Sequence, residues 1–142
     1  GIEFRATVYD LNNTISHHIQ EVSVVGNGKD RSLESIDIPD TVTSIGSSAF
    51  RNCEKLESIT IPEAVTTIGD YAFRGCALIE ELIIPDAVTE LGTNIIGDCT
   101  SLKKVVVGDG VTSVGTIFKG KKSIENVVLG AGVKTYLSTV VS

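Results

Sequence analysis

Three consecutive stretches of 23 residues carry nearly the same text: "IPDTVTSIGSSAFRNCEKLESIT" at 38–60, "IPEAVTTIGDYAFRGCALIEELI" at 61–83 and "IPDAVTELGTNIIGDCTSLKKVV" at 84–106. "VGDGVTSVGTIFKGKKSIENVV" at 107–128 is a fourth unit, one residue shorter, and "LGAGVKTYLSTVVS" at 129–142 begins another and stops. Upstream, residues 15–37 also number 23. They match at Ile15, Ile19, Val22, Leu33 and Ile36, in register with Ile38, Val42, Ile45, Leu56 and Ile59, but lack the Pro, Phe and Cys. They read as a degenerate first coil. A unit this short cannot bury its own apolar face, whereas stacked units share one continuous core. The repetition is the fold.

Each recurring column has a physical reading. Leu56, Ile59 and Ile61 return as Ile79, Leu82 and Ile84, then as Leu102, Val105 and Val107. That spacing predicts one inward-facing strand per coil, paired in parallel with its copy in the next coil, about 4.8 Å away. Pro39, Pro62 and Pro85 close the strand, where a missing N–H costs little. Val42 and Ile45, Val65 and Ile68, and Val88 and Leu91 supply a second apolar side. Gly46, Gly69, Gly92 and Gly115 mark one bend per coil, with positive φ or close backbone approach. "SSAFRNC" and "DYAFRGC" read as short helical turns inserting Phe50 and Phe73 into the core, a place that passes to Ile96 and Phe118.

Taken together, IPxxVTxIGxxAFxxCxxLxxI resembles the BspA-type, or Treponema pallidum-type, leucine-rich repeat, closely over 38–106, with one deletion over 107–128 and loosely over 15–37. Lys121 departs from the pattern, standing where the column has Cys. The expected fold is an α/β but mostly β repeat solenoid. It is a right-handed stack of about five 23-residue coils, with a parallel sheet and short helical turns opposite it. Residues 15–142 form this repeat domain, divided into 15–37, 38–60, 61–83, 84–106, 107–128 and a truncated coil or cap at 129–142. Residues 1–14 precede it; "IEFRATVYDL" alternates at Ile2, Phe4, Ala6 and Val8 and reads as a half-buried strand. That strand is either a cap over the first coil or the tail of a preceding domain. Tyr136, Leu137, Val140 and Val141 offer the same choice at the other end. The resemblance implies a secreted or surface-attached protein of bacteria or some protozoa, concerned with adhesion and host-protein binding.

Composition narrows the chemistry. The net charge of −6 argues against a nucleic-acid surface, which needs clustered Lys and Arg. No apolar run approaches the roughly 20 residues of a membrane-spanning helix. The chain contains no Met, so we expect a processed protein or an excised piece, and a missing signal peptide says nothing of its parent. Val, Ile and Leu supply the apolar bulk, with aromatics at 5% and 14 Gly, which favours β structure with tight turns.

No catalytic constellation emerges. Cys53, Cys76 and Cys99 form a column 23 residues apart, with no CxxC and no nearby His, and read as small buried thiols. His17 and His18 are adjacent, so in a strand they point to opposite faces. No Ser lies in a G-x-S-x-G elbow, and no phosphate-cradling Gly loop is present. Asp40, Glu63, Asp86 and Asp109 form a carboxylate column, but one carboxylate per coil is sparse for calcium, which takes 6–8 oxygens. Thr43, Thr66, Thr89 and Thr112 form a neighbouring column, read as structural through hydroxyl-to-backbone hydrogen bonds. The sequon Asn12-Asn13-Thr14 permits glycosylation in a suitable host. We expect no enzyme, no cofactor and no metal.

The outward strand positions are the candidate partner-binding site. Glu57, Glu80, Glu81, Ile83, Lys103, Lys104, Val106, Glu125 and Val128 line one sheet face, acidic at first, then basic for one coil, with an apolar row at Ile83, Val106 and Val128. Stacked Glu57 and Glu80 repel, and Lys103 and Lys104 relieve this. An exposed apolar row rimmed by charge marks a protein interface. The expected function is thus a non-catalytic, extracellular or surface module that binds a protein partner through this face. The alternative is a structural spacer in a larger surface protein, with no ligand of its own.

Overall fold

In a computed structural model of the chain, residues 3–8, 19–25 and 33–133 are described. The sequon, His17, His18, and the C-terminal Tyr136, Leu137, Val140 and Val141 lie outside them. The strands in chain order are β1 (Glu3–Val8), β2 (Ile19–Val25), β3 (Ser44–Ile45), β4 (Thr67–Ile68), β5 (Glu81–Ile84), β6 (Glu90–Leu91), β7 (Lys104–Val107) and β8 (Asn126–Leu129). They form two sheets, β1-β2-β3-β4-β6 and β5-β7-β8, in a mostly β parallel solenoid of about four turns. The count of about five coils expected from the sequence is not confirmed by the described residues.

Successive coils touch along three edges. The first is the sheet β5-β7-β8, where Leu82 faces Val105 and Val127, and Ile84 faces Val107 and Leu129. Alternation of exposed and buried residues along β5 follows from the strand period of two. The coil at 38–60 has no assigned strand there, though the Glu57 N–H still donates to the Glu34 carbonyl at 3.3 Å. The second edge is the run β3-β4-β6, with Ile45 beside Ile68 and Ile68 beside Leu91. Turns closed by Val42, Val65 and Val88 N–H groups on the carbonyls of Pro39, Pro62 and Pro85 lead into it.

The third edge replaces the expected helical turns. Among the described residues there is no helix. Instead the N–H groups alternate in destination: those of Ala49, Arg51 and Cys53 close local turns onto Gly46, Ser48 and Phe50, while those of Ser48, Phe50 and Asn52 donate to Asp70, Ala72 and Arg74 in the next coil. An α-helix would keep every N–H on the carbonyl four residues back, leaving none for the neighbouring coil. Alternation requires left-handed backbone at intervals, and Ser48, Asn52, Tyr71, Asn94 and Asp98 all have φ between 52° and 61°. Left-handed backbone is disfavoured for side-chain-bearing residues. The ladder that it permits between coils is the compensation.

The core runs through the stack. Phe50, Phe73 and Phe118 are buried in one column with Ile96, as expected, and the Phe50 and Phe73 rings stack 5.6 Å apart at 4°. Among the described residues no charged or polar residue is buried. Burying each large apolar side chain of this core contributes about 1.5–3 kcal/mol. At the N-terminal end β2 joins β3 in parallel, with Ser23 beside Ser44 and Val24 beside Ile45. The sequence alignment put Val22 at that place; the actual register is two residues further on, which keeps the same parity. β1 pairs antiparallel with β2 and forms the edge of the five-stranded sheet.

Candidate functional site

The face outside β5-β7-β8 is built by the same alternation that fills the core. With Leu82, Val105 and Val127 turned inward, register places Ile83, Val106 and Val128 side by side outside. Glu81, Lys104 and Asn126 form the parallel row two residues earlier. Ile83 and Val128 expose 51% and 45% of their surface, and Val106 between them is half-buried. Single exposed apolar residues are ordinary, but three in one register row are not scattered. A shallow depression of about 410 Å³ lies beside the row, lined in part by Glu63, Pro85, Asp86 and Val107.

The charged residues expected on this face divide into two groups. Glu81 and Lys104 are register partners within the strands. Glu80 and Lys103 precede the strands and pair with each other at 3.3 Å, both well exposed. Such a surface pair contributes roughly 0.2–1 kcal/mol. Lys103 therefore offsets the charge of its acidic neighbour. Glu57 and Glu125 are exposed, and the Glu125 N–H donates to the Lys103 carbonyl at 2.8 Å. Because Glu80 and Glu81 are consecutive, the two carboxylates do not share one strand row.

The other columns serve the stack. The thiol of Cys76 donates to the Phe50 carbonyl at 3.2 Å and that of Cys99 to the Phe73 carbonyl at 3.1 Å. All three cysteines are buried thiols outside any disulfide. Burial pushes the Cys99 thiol up to about 11 and raises Cys76 further, its neighbours Cys99 and Cys53 adding to the effect. A nucleophilic cysteine needs the opposite shift. The Thr66 and Thr89 hydroxyls donate to the carbonyls of Thr43 and Thr66, as the column's structural reading requires. The carboxylates of Asp86 and Asp109 each accept a backbone N–H of the next coil, from Asp109 and Ala131, both at 2.8 Å. Those two members of the column thus clamp neighbouring coils together. Among the described residues no group of three or more His, Cys, Asp or Glu side chains is placed to hold a metal ion. No helix there is long and apolar enough to cross a membrane.

Two features escaped sequence reasoning. Leu78 exposes 46% of its surface at a place that Lys55, Ser101 and Ser123 fill in other coils. An apolar residue in that polar column was the available signal. On the turn edge, Arg51 and Arg74 lie over the Tyr71 ring at 5.4 and 5.7 Å, and Arg74 also pairs with Asp98 at 3.3 Å. No single unit announces this cluster, because its members come from three coils.

Comparison with known proteins places the chain. The family profile of the BspA type leucine rich repeat region matches residues 28–140 in six copies. Among solved structures, the leucine rich repeat protein of T. pallidum is similar at TM-score 0.66 and 26% identity, over 70% of this chain and 50% of that one. The pneumococcal vaccine antigen PcpA is similar at 0.57 and 27%, over 78% of this chain and 26% of its own. A leucine-rich repeat protein of Bacteroides ovatus gives 0.54 and 29%, over 79% and 34%. The chain thus spans half the length, or less, of these relatives. No curated protein is similar enough to count as a match. The family is in general a non-catalytic repeat scaffold that mediates protein interactions. Its unit, fold and matched span all agree: this chain belongs to the BspA type leucine rich repeat family.

Proposed function

We propose that this chain is the protein-binding module of a secreted or cell-surface protein, concerned with adhesion or host-protein recognition, and that it binds through the face outside β5-β7-β8. The observation that carries the reading is the register row Ile83–Val106–Val128, apolar and exposed at both ends, beside Glu81, Lys104 and Asn126. An apolar strip with charge along one side gives a partner both buried area and orientation. Similarity to a pneumococcal vaccine antigen supports placement at a bacterial surface.

The test is surface-plasmon binding of the chain to a panel of matrix and host-surface proteins at physiological salt. Beside it run Lys103→Glu/Lys104→Glu and Ile83→Ser/Val128→Ser, each checked for folding by circular dichroism. Saturable binding to one partner that both variants weaken at least tenfold supports the sheet face. Binding that survives both variants moves the site elsewhere, and a folded chain that binds nothing leaves a structural spacer as the better description.

A further inference from the structure

The residue missing from the fourth unit falls on the turn edge, and its effect is local. In earlier coils the peptide units 70–71, 72–73 and 74–75 are strung end to end. Their carbonyls accept from Ser48, Phe50 and Asn52, and the N–H groups of Tyr71, Phe73 and Gly75 donate onward to Thr93, Ile95 and Gly97. The next links would start from Asn94, Ile96 and Asp98. None of these three N–H groups has an acceptor among the described residues. The local turns of the fourth coil are intact, with Ile117, Lys119 and Lys121 donating to Val114, Thr116 and Phe118. Four steps separate Gly92 from Ile96, but only three separate Gly115 from Phe118. A path one residue shorter cannot follow the turn beside it.

The two coils therefore lack backbone rungs along this edge, although Ile96 and Phe118 stay buried between them, while the sheet edge stays paired. Two depressions of about 390 Å³ each open at the seam. One is lined by Thr93, Asn94, Gly115 and Thr116, the other by Asp98, Thr100, Gly120, Lys121 and Lys122. A Cβ on Gly115 or Gly120 would meet nothing within 4 Å, whereas on Gly75 it would lie 2.5 Å from the Asn52 amide oxygen. The Lys121 ammonium turns back to the Lys119 carbonyl at 3.5 Å, the carbonyl that corresponds to Gly97 in the unbroken ladder.

The broken ladder has a sign. Aligned peptide units each carry about 3.5 D, and hydrogen-bonded end to end they leave partial positive charge at the free N–H groups. Alternating right- and left-handed backbone that presents N–H groups to one side makes an anion-binding concavity. Asn94 and Asp98 supply that alternation with φ of 52° and 57°. Lys121 and Lys122 line the second depression opposite Asp98, in a chain whose net charge is −6. The Asp98 carboxylate is directed to Arg74 at 3.3 Å.

We propose that the second depression of this seam is an oxyanion-binding site, taking a carboxylate, sulfate or phosphate group between the Asp98 N–H and the ammonium groups of Lys121 and Lys122. The site is independent of the sheet face. The experiment is amide NMR of the 142-residue chain at constant ionic strength, titrated separately with sulfate, phosphate and acetate against chloride. Expected are saturable shifts at Asp98 and at Cys99 and Thr100 beside it with at least one anion, and that anion identifies the source. Lys119→Gln/Lys121→Gln/Lys122→Gln should weaken the affinity at least tenfold, and Lys55→Gln on an earlier coil should leave it unchanged. Inserting Asn after Thr116 restores the 23-residue unit, closes the ladder and should abolish the shifts. Shifts that do not saturate with any anion, that persist in the triple-lysine variant, or that survive closure of the seam would overturn the proposal.

Discussion

At the scale of single residues, the cysteine column links packing to pH. Each thiol occupies a small core site, and those of Cys76 and Cys99 give their hydrogen to the Phe carbonyl of the coil before. In the unfolded chain a thiol ionises near its ordinary value of 9.0; in the fold Cys99 does so near 11. A raised folded value means the fold favours the neutral thiol. The contribution is therefore fully present below pH 9 and declines as pH rises from about 9 to 11. Urea midpoints should fall across that window, and a Cys99→Ala variant should fall less steeply from its own lower start. At pH 7.5 the native chain should react with a thiol reagent far more slowly than the denatured chain, in which all three thiols become reactive. Rapid labelling of the native protein would contradict the buried column. Sequence alone indicated small buried thiols here, since neither His nor a CxxC accompanies them. It could not indicate the S–H to carbonyl bonds, because their acceptors lie 26 residues away.

At the scale of elements, the turn edge separates two glycines that look alike in sequence. Gly75 and Gly120 both have left-handed backbone, at φ of 81° and 72°. Only at Gly75 would an added Cβ press on the coil beside it. Gly75→Ala should cost roughly 2–3 kcal/mol and Gly120→Ala about 1 kcal/mol, the latter from backbone conformation alone. Chemical denaturation of both variants checks this, and equal losses would mean that the coils do not approach closely at Gly75. The strands and the Phe column were readable from the repeat, because inward residues recur at fixed spacing. Helical turns were expected because "SSAFRNC" and "DYAFRGC" are too short for a stable helix yet must insert Phe50 and Phe73 into the core. What decided against a helix was the column Asn52, Gly75, Asp98 and Gly120, residue types that tolerate left-handed backbone. On the candidate face, the apolar row was legible through the strand period of two. The separation of Glu80 from Glu81 was not, since the first residue of β5 is set by pairing with β7.

At the scale of the whole molecule, each coil contacts only its neighbours, so stability is distributed along the stack rather than held in one centre. Native-state hydrogen exchange should read this out directly. The amides of Phe50, Asn52, Phe73 and Gly75 donate to the next coil and should be protected, whereas those of Asn94, Ile96 and Asp98 should exchange at least tenfold faster. Uniform protection across these positions would mean that the ladder continues through the seam. The degenerate N-terminal unit illustrates what a repeat pattern conceals. Its apolar positions matched at 23-residue spacing, yet β2 pairs with β3 two residues further along. A shift of two keeps every side chain on its own face. Patterning alone therefore cannot distinguish the two registers.

The seam also has a mechanical meaning. The hydrogen bonds that join coils lie along the stack, so tension applied to the two ends of the solenoid strains rungs one coil at a time rather than in shear. Peeling away one 23-residue coil frees about 75 Å of chain. Among the described coils, the junction at 94–98 lacks the turn-edge rungs that its predecessors have, and of these junctions it is the one where such a pull would yield first. Under load, a chain of this kind lengthens from that point and leaves the coils from 38 to 83 wound.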